Sequence, residues 1–146
     1  MKTILVPIDS NKEGDLVANK AVEIAIAFDA KVHLVHVTSL KNKDLVDSSE
    51  GIEYISSETL SAYEKEMETL NLFKARFSNA GIICETHLLQ GSPEKQILKL
   101  ADSVNADLII LGLINHSALY KVFVGSVSNE VIKGSKTPIL LVPPAK

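Results

Sequence analysis

Cysteine is nearly absent: one residue, Cys84, in a chain of 146. That excludes a disulfide framework and a thiolate metal site, and it fits a reducing compartment. A strong excess of charge of either sign is missing too. Lys and Arg number 15 against 18 Asp and Glu, a net charge of −3, so no broad footprint for nucleic acid is expected. No apolar run approaches the length of a transmembrane helix, and no membrane partner is expected. Met1-Lys2-Thr3 leads straight into Ile4-Leu5-Val6, then Pro7 and Asp9. That run is too short for a signal peptide, and a cytoplasmic location is expected.

Several catalytic signatures are also missing. There is no Walker loop; Gly134-Ser135-Lys136-Thr137 reads only as a glycine turn before a strand. There is no nucleophile elbow. A receiver-type phosphoacceptor needs an aspartate at the end of the third strand, where Leu89-Gln90-Gly91 stands. The stretch Asp9-Ser10-Asn11-Lys12-Glu13 lacks the glycines of an ATP-pyrophosphatase loop. No Ser/His/Asp or Cys/His set converges on one place. Efficient catalysis is therefore not expected.

What is present is an alternating pattern in a chain that is 46% apolar. Its length fits one domain over residues 1–146, enough to bury a real core without staples. Short apolar runs at 3–8, 31–37, 82–89, 107–111 and 138–142 read as five strands. Between them lie amphipathic patterns. Val17, Ala21, Ile24, Ala25 and Phe28 share one helical face, and Leu60, Tyr63, Met67, Leu70, Phe73 and Phe77 another. Ser92-Pro93 reads as a cap and first helical residue. A fourth helix is expected over 126–134, and residues 39–56 read as a long loop without period. Strand–helix alternation predicts an α/β fold, a doubly wound five-stranded parallel sheet with helices on both faces. The residues alone leave the strand order open.

The most informative stretch is Gly112-Leu113-Ile114-Asn115, with Gly125-Ser126 downstream. Small residues where a strand ends and a helix begins let backbone N–H groups approach an anion. Asp9 follows the first strand at the same edge and is placed to accept from a ribose hydroxyl or adenine amine. Each residue also has a plain structural role available: a cap, a strand end, a loop bond. Among the histidines, His33 and His36 are three apart on a strand and face opposite sides. They cannot share a metal. His36 reads as a core histidine with a satisfied ring, His87 as structural, and His116, Tyr120 and Lys121 as loop residues near the candidate site.

At these residues the chain resembles the universal stress protein family over nearly its full length. The resemblance rests on Ile4-Leu5-Val6-Pro7-Ile8-Asp9, Val32-His33-Leu34-Val35-His36-Val37, Gly91-Ser92-Pro93 and Ala106-Asp107-Leu108-Ile109-Ile110-Leu111-Gly112. It rests also on Gly125-Ser126-Val127 and Thr137-Pro138-Ile139-Leu140-Leu141-Val142. It implies a sheet order of 3-2-1-4-5 and a stress-response or signalling role. It implies an adenine nucleotide, ATP with Mg, lying against Pro7, Asp9 and the backbone of Val37. Ribose and phosphates would lie near Leu111, Gly112, Asn115, Gly125, Ser126, Val127 and Ser128. ATP-binding members carry glycine where Asn115 stands. Asparagine tolerates left-handed backbone better than most residues, and its amide can donate to a phosphate. A homodimer through the fifth strand is expected, because Ile139-Leu140-Leu141-Val142 would otherwise leave an apolar sheet edge bare. The alternative is a dimeric interaction protein of the same fold that binds no ATP.

Overall fold

The computed structural model describes residues 1–9, 12–38, 45–47, 53–55, 57–116, 121–123 and 126–144. In chain order the elements are β1 (Thr3–Pro7), α1 (Lys12–Phe28), β2 (Lys31–Thr38), β3 (Leu45–Asp47), β4 (Glu53–Ile55) and α2 (Ser57–Asn79). They continue with β5 (Cys84–Gln90), α3 (Pro93–Ser103), β6 (Leu108–Gly112), β7 (Ile114–His116), β8 (Lys121–Phe123), α4 (Ser126–Gly134) and β9 (Ile139–Val142). The main sheet has the order β5-β2-β1-β6-β9, and every pair in it is parallel. Counting only these five strands, the order is 3-2-1-4-5, as the family resemblance implies.

The strands alternate between two apolar layers because successive side chains point to opposite faces. Ile4, Val6, Val32 and Leu34 face α1 and α2, where Val17, Ala21, Ala25, Leu70, Phe73 and Phe77 are buried with them. Leu5, Val35, Ile109 and Leu111 face the other way, onto Ile97 and Ala101 of α3 and Val131 of α4. Asp107 closes the sheet at its amino end. Its carboxylate accepts from the backbone N–H groups of Lys2 at 2.8 Å and Thr3 at 3.0 Å, which holds its carboxyl below the usual aspartate range.

Three expectations need correction or refinement. Residues 39–56 are not loop throughout: β3 and β4 pair antiparallel, Leu45 with Ile55 and Val46 with Tyr54. Strands of three residues are too short to display a period. Phe28, Leu60 and Met67 share the apolar helical faces expected for them but are 54%, 46% and 37% exposed. A helical period marks a stripe, not how much of it lies over the sheet. Ser92 does occupy the cap position before Pro93. Its hydroxyl, however, donates to the Glu94 carboxylate at 2.6 Å instead of capping the helix.

Candidate functional site

In a doubly wound sheet the crevice opens beyond the carboxyl ends of the strands, where successive connections leave in opposite directions. Here that point lies between β1 and β6, which pair through Ile4–Leu108 and Leu5–Ile109. β2 flanks β1 on the far side. Pro7 ends β1, and the next residue, Ile8, donates its N–H to the Val35 carbonyl at 2.8 Å. This bond keeps the chain alongside β2 as it leaves the sheet. Asp9 follows and is exposed. Val37, near the end of β2, is half-buried and packs on the α3–α4 side.

The second wall comes from β6. Leu111 is buried and Gly112 ends the strand opposite Val142. Leu113 still donates to the Val142 carbonyl at 2.9 Å. α4 then starts at Ser126, so its orphan N–H groups and positive dipole end belong to this region. Ser128, buried in the first turn of α4, donates its hydroxyl to the Gly112 carbonyl within 3.5 Å. That bond ties the start of the helix to the end of the strand. Val127 is half-buried beside it and packs on the same layer.

The structure therefore brings Pro7, Asp9, Val37, Leu111, Gly112, Val127 and Ser128 to one end of the sheet. Asn115 is the middle residue of β7 and pairs opposite Val122 in a short antiparallel hairpin. An extended strand suits any side chain, so the left-handed backbone weighed for Asn115 is not required there. Gly125 and Tyr120 lie outside the described residues, as do the side chains of Asn115, His116, Lys121 and Ser126.

A cavity of about 150 Å³ opens on the α2 side of the same end, lined by Ile8, His36, Lys65, Glu66, Thr69 and Leu70. His36 is half-buried rather than a core residue, and both ring nitrogens have a polar neighbour. Its Nδ1 lies 3.1 Å from the Ile8 carbonyl, which can only accept. That nitrogen therefore carries the proton in the neutral ring, and Nε2 presents a lone pair. Nε2 lies 3.5 Å from Glu66 Oε1. The other carboxylate oxygen, Glu66 Oε2, is buried with no hydrogen-bond partner among the described residues. Glu66 was missed in the sequence because a glutamate on an amphipathic helix reads as a solvated face.

A model of the universal stress protein family matches residues 1–143. A universal stress protein of Methanocaldococcus jannaschii is 31% identical over 141 residues, 97% of this chain and 81% of that one. A universal stress protein structure from Archaeoglobus fulgidus superposes with a TM-score of 0.74 at 25% identity, covering 97% of this chain and 98% of the other. Two further universal stress protein structures share the fold at 23% identity. One, in complex with cAMP, has a TM-score of 0.71 and covers 99% of this chain and 98% of its own. The other, from Archaeoglobus fulgidus in complex with dAMP, has a TM-score of 0.67 and covers 97% and 98%. The chain belongs to the universal stress protein family.

Proposed function

We propose that this protein is an adenine-nucleotide-binding module of the family, acting in stress response or signalling. The observation that carries this reading is the Ser128–Gly112 bond, which fixes a helix amino terminus against a glycine strand end beside Pro7 and Asp9. Adenine would lie against Pro7, Asp9 and the backbone of Val37. Ribose and phosphates would meet Leu111, Gly112, Asn115, Gly125, Ser126, Val127 and Ser128, with ATP and Mg as the ligand. The complexes of relatives with cAMP and dAMP support an adenine nucleotide. The module would act by binding, with ATP turnover slow at most.

Analysis of co-purifying nucleotide and calorimetric titration with ATP and Mg²⁺ test the reading. Gly125→Val should weaken binding strongly, because its side chain would enter the phosphate space. Asn115→Gly should leave affinity equal or raise it. Parent protein that takes up no ATP at millimolar concentration would exclude the nucleotide role and leave the interaction protein.

Homodimerisation through β9 belongs to the same proposal. β9 pairs with β6 on one side only among the described residues, and Ile139, Leu140 and Leu141 along it are half-buried. Two such edges paired would satisfy both rows of backbone groups. Light scattering should give twice the 15.8 kDa of one chain, and Leu141→Lys should lower it. A monomer unchanged by that substitution would refute the dimer.

A further inference from the structure

At the opposite, amino-terminal end of the sheet, three potential ligands converge on the α3 side. β2 and β5 run parallel in a register that pairs His33 with Glu85 and Val35 with His87. His33, Glu85 and His87 therefore share one face across two adjacent strands. His33 Nδ1 lies 2.9 Å from His87 Nε2 and 3.5 Å from Glu85 Oε2. All three ligand atoms fall within 4.8 Å of one another. We propose that His33, Glu85 and His87 form a binding site for a divalent transition-metal ion of zinc's class.

Two edges of the triangle are close to what an ion needs, and the third, between Glu85 and His87, is no longer than 4.8 Å. Tetrahedral ligands about 2.05 Å from zinc stand about 3.3 Å apart. The His33–Glu85 edge already has this length, and the two ring nitrogens need to part by about 0.4 Å. At present one proton sits between them, because a hydrogen bond between two imidazoles needs one donor and one acceptor. An ion would replace that proton and take both lone pairs. Burial, and for His33 the nearby His87, hold both rings below the usual histidine range. Glu85 is 54% exposed, which leaves an entry path and room for water as a fourth ligand. Two imidazoles and one carboxylate suit zinc, cobalt, nickel or copper, not Mg²⁺ or Ca²⁺. Cys84 is excluded as a ligand because its side chain is buried in the opposite layer, under α1 and α2.

One competitor is present. Lys31 Nζ lies 3.0 Å from Glu85 Oε1 and places a positive charge beside the site. It gives the proposal a variant that should bind better. The experiment uses tag-free, nucleotide-stripped full-length protein, titrated with Zn²⁺ by calorimetry and with Co²⁺ followed by its visible absorption. Parent protein should take up one ion per chain with micromolar affinity and show tetrahedral cobalt bands, while Mg²⁺ should give no heat. His87→Ala should lose at least ten-fold in affinity, on the order of one metal ligand. Glu85→Gln should weaken binding less. Lys31→Met should tighten it about five-fold, the order expected for removing one adjacent exposed charge. If His87→Ala fails to fold, the two surface variants decide. No uptake at millimolar zinc would overturn the site, as would affinities that none of these substitutions alters.

Discussion

Gly14 stands in the first turns of α1, where glycine weakens a helix. Replacing it by alanine should add about 1 kcal/mol of stability on helix propensity alone. The packing predicts the opposite sign. A Cβ on Gly14 would overlap the carbonyl oxygen of Asp9 and come within 3.3 Å of Phe73 Cζ. Phe73 is buried in the larger core and cannot retreat, so the backbone at Asp9 must move. Overpacking of this kind costs about 1–3 kcal/mol. The net is a loss of about 1 kcal/mol, or about 2–4 °C in Tm for a chain of this size. Movement at Asp9 should also break the hydrogen bond proposed for it to the nucleotide. A bond worth about 0.5–1.5 kcal/mol translates into about two- to ten-fold in Kd. Thermal unfolding and ATP titration of Gly14→Ala read both effects. A rise in Tm of about 2–4 °C, the propensity result, would refute the close approach of α1 to Asp9.

Two further outcomes follow from the titrating groups. Burial pushes the Cys84 thiol from 9.0 to about 11, which cuts its thiolate population about 100-fold near neutral pH. Ellman's reagent at pH 8 should therefore label native protein very slowly and urea-unfolded protein at once; rapid labelling of the folded chain would show that Cys84 is not buried. Asp107 has a folded pKa below its ordinary 3.8, so its contribution to stability is full above that value and is lost as pH falls through the folded pKa. Asp107→Asn should lower the urea midpoint at neutral pH and flatten its decline in acid, and an acid decline as steep as the parent's would refute the role of the carboxylate.

The five sheet strands were legible because runs such as Ile4-Leu5-Val6 and Leu108-Ile109-Ile110-Leu111 are buried on both sides and carry their burial in composition. That Pro7 and Gly112 stand at the carboxyl ends of neighbouring strands was legible, because those ends are found as soon as the strands are. The β3–β4 ribbon was not, since three residues cannot show alternation. The cross-strand meeting of His33 with His87 was not legible either. It depends on the register of β2 against β5, which no local pattern encodes. The reading of His33 against His36 correctly excluded one pair, but the partner lies on another strand. Glu66 became visible only once α2 was seen to lie along the end of β2.

The two apolar layers are unequal, and this has a dynamic consequence. Among the described residues, 18 buried side chains form the layer under α1 and α2, against seven under α3 and α4. Amide exchange from the thinner layer should proceed by sub-global opening, at a free energy below that of full unfolding. α4 is a short helix of nine residues within that layer, and its first turn is the one bonded to Gly112. The proposed phosphate half of the crevice would thus be mounted on the layer with fewer described buried side chains. A ligand held there would raise protection first where the native state opens most easily, so occupancy would be written into the breathing of one layer while the other stays still.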